Sequence, residues 1–182
     1  MITEKQITSI KISDDLNEVK IGFTNVLTHE SENEEEGNHI HNSYLVKGKI
    51  RPHKDFIEEM KKLRKFALEL CEMDVNSKEI GDWNVCGLQI AGDIFLHQSR
   101  AVLQLAKKVN RTNKVIKFKT PQVTMFPEAD EATRYASAEK LTTQIECCIE
   151  EAYNYLNGKY EDEGIQFQLF PNDPKLETHF TR

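Results

Sequence analysis

From Lys54 to Met73 the apolar residues Phe56, Ile57, Met60, Leu63, Phe66, Ala67, Leu70 and Cys71 recur every three or four positions, with Glu58, Glu59, Lys61, Lys62 and Lys65 between them. That period is the apolar stripe of an α-helix. A helix of this length is marginal in isolation, so the stripe demands a second apolar surface to cover. Residues 132–156 repeat the pattern through Tyr135, Ala138, Leu141, Ile145, Cys148, Ile149, Ala152 and Leu156, and Asn157-Gly158 supplies a C-terminal stop. Two long helices therefore need one common partner.

The partner is legible in segments of period two. Gln6 to Ile12 and Val19 to Leu27 alternate through Ile10, Ile12, Val19, Ile21 and Phe23, with Asp14-Asp15-Leu16-Asn17 as turn chemistry between them. Residues 28–42 carry Glu30, Glu32, Glu34, Glu35 and Glu36 ahead of Gly37-Asn38 and read as a solvated charged loop. Tyr44 to Ile50 resumes as a strand and Pro52-His53 ends it. After a polar connection, Trp83 to Ala91, Arg100 to Val109 and Lys114 to Met125 read as three more strands, and Pro127 closes the sheet region. The order β-β-β-α-β-β-β-α predicts an α+β domain, a mainly antiparallel sheet covered by two long helices. Its boundaries are set at 1–158, with 159–182 as a flexible or peripherally packed tail. Phe56, Met60, Leu63, Leu141, Ile145 and Ile149 are the expected helix contributions to the core.

Composition narrows the setting. The chain has 182 residues, 38 % of them hydrophobic and 30 % charged, which is enough for one domain with a proper core. No apolar run approaches the roughly 18 residues of a membrane span. The N-terminal MITEKQITSIKISDD has no signal-peptide core, so a cytoplasmic protein is expected. Cys71, Cys86, Cys147 and Cys148 match no zinc spacing and read as reduced thiols.

Function is best approached through charge. Formal net charge is -6, yet Arg100, Lys107, Lys108, Arg111, Lys114, Lys117 and Lys119 follow one another with no Asp or Glu among them. Asn110-Arg111-Thr112-Asn113 suits a tight turn, so the segment predicts a basic β-hairpin. Leu103, Leu105, Ile116 and Phe118 would face the core, while Lys117 and Lys119 point the other way and Lys107, Lys108, Arg111 and Lys114 crowd the tip. Lys and Arg in such an array neutralise phosphates without reading bases, so the expected partner is single-stranded nucleic acid or a phosphate-bearing nucleotide. A lysine-rich hairpin can equally be a solvated pair that guards a sheet edge. Trp83, Phe95, Phe118 and Phe126 are the available stacking rings.

Catalytic signatures are missing. Gly22, Gly48, Gly87 and Gly92 are too scattered for a phosphate loop, and no Gly-x-Ser-x-Gly or Walker pattern occurs. His39-Ile40-His41, with His29 and the nearby glutamates, offers donors but no fixed set of three or four ligands. No catalytic residue, metal or cofactor is predicted, and the chain is read as not an enzyme.

Beyond Gly158, Gln166-Phe167-Gln168-Leu169-Phe170 resembles the pentapeptide with which bacterial replication and repair proteins dock on the sliding clamp, with Gln first, Leu fourth and Phe fifth. Gln166, Phe167, Leu169 and Phe170 are thus candidate partner-binding residues, Leu and Phe filling an apolar pocket while the amide fixes orientation. The same residues could instead fold back on their own domain as an added strand.

Ile7-Thr8-Ser9-Ile10-Lys11-Ile12, the helix start Pro52-His53-Lys54-Asp55-Phe56, and the final helix running through Glu150 to Lys159 into a Leu-Phe tail together resemble a family of small, mostly uncharacterised bacteriophage and prophage proteins encoded near recombination and single-strand-binding genes. The resemblance implies a phage setting in the host cytoplasm and carries over no functional residue. The resulting expectation is a non-enzymatic accessory protein that binds single-stranded nucleic acid through the basic hairpin, with the host sliding clamp as a candidate partner and oligomerisation left open. Three rivals stand beside it: a counter-defence protein that sequesters a signalling nucleotide, an inhibitor of a host protein whose acidic loop 30–36 imitates nucleic acid, and a metal-dependent enzyme.

Overall fold

A computed structural model describes residues 2–28, 39–74, 82–92, 99–109, 111–112, 114–125 and 135–161. Among these residues, seven strands and two helices run in the order β1 (Ile2–Ile12), β2 (Val19–Thr28), β3 (His39–Gly48), α1 (Lys54–Leu70), β4 (Trp83–Ala91), β5 (Arg100–Val109), β6 (Lys114–Lys119), β7 (Val123–Thr124) and α2 (Ala138–Leu156). The sheet order is β3-β2-β1-β4-β5-β6 with β7 also on β5, and every pairing is antiparallel. Both helices cover one face, as the periodicities require.

Local chemistry explains the joints. Between β1 and β2, Leu16 takes a left-handed φ of 60°, the Ser13 hydroxyl donates to Asp15 Oδ1 (2.6 Å), and Glu18 N donates to Ser13 Oγ (2.8 Å). At the start of α1 the His53 Nδ1 accepts from Asp55 N (3.3 Å), filling one of the orphan donors of the first turn. The helix ends at Leu70, short of the expected Met73, because Met73 N turns back to Leu68 O (2.9 Å) while Glu72 adopts a φ of 54°. Gly158, at φ 100°, ends α2 where the sequence signalled it.

Other boundaries differ from expectation. β3 begins at His39 rather than Tyr44, since it pairs with β2 along its whole length from Thr28↔His39 to Val19↔Gly48, and ladder bonds override the weak strand preference of polar residues. The single strand expected over 114–125 is cut in two. Pro121 has no N–H to donate, and Thr120 beside it closes the pairing, donating its backbone N to Leu103 O (2.9 Å) and accepting from Leu103 N through Oγ1 (3.0 Å). α2 starts at Ala138 rather than Ala132. The acidic run Glu30–Glu36 lies outside the described residues.

The core lies between the sheet and the helices. Ile7, Ile10, Val19, Ile21, Leu88, Leu103 and Leu105 meet Phe56, Met60, Leu63, Leu141, Ile145 and Cys148, all essentially inaccessible. Each large aliphatic side chain contributes roughly 1.5 to 3 kcal/mol by leaving water. Ile149, expected inside, is only partly buried. Close approach at one point depends on a glycine: a Cβ on Gly48 would stand 2.1 Å from the Tyr155 hydroxyl, which crosses β3 to donate to Ile50 O (2.8 Å).

The packed body runs three residues past the expected boundary at 158. Tyr160 is 4 % exposed, bridges to Pro52, and sets its ring edge-on to Tyr155 at 5.0 Å. On either side, Lys159 Nζ lies 2.9 Å from Asp55 and Glu161 lies 2.8 Å from Arg51 Nε. Gln166, Phe167, Leu169 and Phe170 lie outside the described residues. No described helix is long and apolar enough to cross a membrane.

Candidate nucleic-acid interface

The basic hairpin forms as expected, β5 and β6 pairing from Gln104↔Lys119 to Val109↔Lys114. Because successive residues of a strand face opposite sides, this register divides the positive charge. Lys107 and Lys114 stand on the side that carries the helices, whereas Lys108, Lys117 and Lys119 stand on the other. Lys107 is engaged there, its Nζ 3.6 Å from Asp82 and 5.4 Å from the centre of the Trp83 ring. Trp83 and Phe118 pack edge to face at 5.1 Å, so neither ring offers a platform to a base. Phe95 and Phe126 lie outside the described residues.

The remaining hairpin residues are dispersed. Arg111 is exposed in the turn, and Arg100 begins β5 about 27 Å from Lys108, eight residues at roughly 3.4 Å each. Ile116 was expected in the core but is 51 % exposed, and Val115 beside it is exposed too, because β6 is an edge strand reaching past the cover of the helices. The seven cations of the segment are therefore not one cluster.

The face turned away from the helices gathers a different set. Lys117 Nζ reaches Asp14 Oδ2 in the β1–β2 turn (3.0 Å), and this bond holds its pKa above the ordinary lysine value. Lys119 Nζ donates to Gln89 Oε1 on β4 (2.8 Å). On the far strands, Lys11, Lys20 and Lys47 belong to the same face, since their neighbours Ile10, Ile12, Val19 and Ile21 are buried on the helix side. Lys20 pairs with Glu18, whose carboxyl is held below its usual range by that hydrogen bond and then by the fields of Lys20, Lys47 and Lys49. Among the described residues Lys11, Lys47, Lys108 and Lys119 take part in no salt bridge. Lys11, Lys20 and Lys47 escaped the sequence reading because each sits singly between apolar residues, and only inter-strand register brings them together.

A cleft of about 500 Å³ opens where β1 parts from β4, with Ile12, Leu16, Met60 and Val85 among its apolar walls and Arg51, Lys54, Lys61 and Lys108 at its rim. Much of this rim charge is neutralised within the protein, Arg51 by Glu161 and Lys61 by Glu58. Burial pushes the Cys86 thiol on the cleft wall above its ordinary pKa. Among the described residues no group of three His, Cys, Asp or Glu is placed to hold a metal ion, and His39 and His41 stand on β3 rather than in a loop.

The arrangement can neutralise phosphates across a broad surface. Among the described residues at the hairpin, the two rings, Trp83 and Phe118, are packed against each other. No protein-family model, no curated protein and no solved structure matches this chain.

Proposed function

We propose that the protein is a non-enzymatic binder of single-stranded nucleic acid that supports phage replication or recombination in the host cytoplasm. The observation that carries this reading is the exposed lysine set on the helix-free side of the sheet, Lys119 of the hairpin with Lys11 and Lys47 among them, in a chain whose formal net charge is -6. Charge of that sign, held apart from the acidic α2, attracts a polyanion even though the whole molecule repels one at long range. The phage setting rests on the family resemblance. Docking on a sliding clamp through Gln166, Phe167, Leu169 and Phe170 belongs to the same proposal.

An electrophoretic shift series with labelled single-stranded DNA at two salt concentrations tests it. Affinity falls steeply with salt, with a slope near -0.7 per phosphate neutralised. Replacing Lys117 and Lys119 together by Ala flattens that slope by about 1.4, whereas Lys114→Ala, on the other side of the sheet, changes it little. Absence of any shift at low salt refutes strand binding. A nucleotide-sequestering role is the second reading, favoured by the cleft, whose volume suits a small ligand. It predicts equal affinity for a dinucleotide and a twenty-mer.

A further inference from the structure

We infer that a bound strand crosses the sheet at right angles to the β-strands, along one continuous row: Lys119, Gln104, Gly87, Lys11, Lys20 and Lys47. The inference deepens the strand-binding reading and rests on it. Pairing fixes the row step by step. Lys119 faces Gln104, Gln104 faces Gly87, Gly87 faces Lys11, Lys11 faces Lys20 and Lys20 faces Lys47. All six stand on the side away from the helices. Adjacent strands lie about 4.8 Å apart, so five steps span about 24 Å.

Two features of the row point to a polyanion. Lys11, Lys20 and Lys47 are neighbours on three successive strands, and like charges directly opposite one another destabilise a sheet. Glu18 offsets only part of that repulsion through Lys20. Phosphates lying between the lysines would remove the rest. The second feature is polar cover at the middle of the row: the Gln104 side chain lies over Gly87, where a Cβ would stand 3.1 Å from its Oε1. Its amide N–H groups are donors of the kind that bind phosphate oxygens, placed between Lys119 on one side and Lys11, Lys20 and Lys47 on the other.

Binding of this kind runs through the phosphates, which carry no sequence information, and no described aromatic side chain lies along the row to stack a base. At a stacked spacing of about 3.4 Å per nucleotide, 24 Å accommodates about seven nucleotides. Affinity for oligothymidylate should therefore climb from four to eight nucleotides and gain little from eight to twenty beyond the added number of registers.

Fluorescence anisotropy of labelled oligothymidylates of four, eight and twenty nucleotides tests the row on the full chain. The informative variant is Lys11→Ala with Lys47→Ala, remote from the hairpin. Lys65→Ala with Lys140→Ala, on the helical layer, is the control, and circular dichroism melts verify folding of both. The row predicts that K11A/K47A loses about 1.4 units of salt slope, two contacts at about 0.7 each, while the control keeps the wild-type slope. If wild type binds and K117A/K119A weakens it but K11A/K47A does not, the strand is confined to the hairpin; the row is overturned and strand binding stands. Equal affinity for the four- and twenty-nucleotide probes overturns the row as well. Failure of wild type to bind any probe removes both readings.

Discussion

The two faces of one sheet are built from the same strands and differ in every other respect. Toward the helices, Ile10, Ile21, Leu88 and Leu103 are sealed from water; one residue along each strand, Lys11, Lys20, Gly87 and Gln104 stand on the opposite side. The first face determines whether the chain folds, and the second is free to vary without cost to the core. Charge separates too, between α2 and the helix-free face, with α1 close to balanced between them. α2 carries Glu139, Glu146, Glu150 and Glu151 against one lysine, Lys140, while the helix-free face gathers lysines from β1, β2, β3 and the hairpin. A net charge of -6 conceals this separation, because summing over a molecule removes the direction of its field.

The contrast is broken most severely from the helix side. Leu63→Ala or Ile145→Ala should each cost about 2 to 5 kcal/mol, since both side chains are wholly buried and truncation leaves a cavity. Thermal melts that move by less than a degree in both variants would contradict the packing. Alkali should act on the same layer. Burial raises the Cys148 thiol from 9.0 to about 12 and the Tyr155 hydroxyl from 10.0 to about 12. Both groups are favoured neutral in the fold, so their stabilisation is complete below about pH 9 and is lost as pH climbs toward 12. Melting temperatures followed from pH 8 to 11 should fall, and Cys148→Ala should flatten the upper part of that curve. The smallest effect belongs to the other face: Lys11→Ala, Lys47→Ala and Lys119→Ala should each change stability by no more than about 0.5 kcal/mol in denaturant titrations, because exposed substitutions rarely do more. Loss of the like-charge row would bias that small change toward stabilisation.

Much of the helix-side face was legible in the sequence because periodicity is a local property. Phe56, Met60, Leu63, Leu141 and Ile145 all declared themselves by spacing, and the element order followed. The errors fell where distant partners decide. His39 to Ser43 look like loop chemistry and become strand only because β2 is there to pair with them. Tyr135 shares the period of α2 without belonging to it. Tyr160, in the segment expected as a flexible or peripherally packed tail, packs against Tyr155 and pairs with Pro52, contacts that no local pattern announces. The lysine row is the extreme case. Alternation shows that Lys11, Lys20 and Lys47 oppose the core, but no local signal says that they stand side by side with Gly87, Gln104 and Lys119.

One joint in the sheet has a mechanical meaning. β1 and β2 pair over ten positions, β2 and β3 likewise, but β1 and β4 meet at only three, Ser9↔Gln89, Ile10↔Leu88 and Lys11↔Gly87. Along the main order of the sheet the ladder is therefore shortest between two panels, β3-β2-β1 and β4-β5-β6, which meet along a short crease. Fewer ladder hydrogen bonds oppose a change of angle at that crease than within either panel. Lys11, Lys20 and Lys47 ride on one panel and Lys119 on the other, so any flexing there widens or narrows the gap between the two sets of cations.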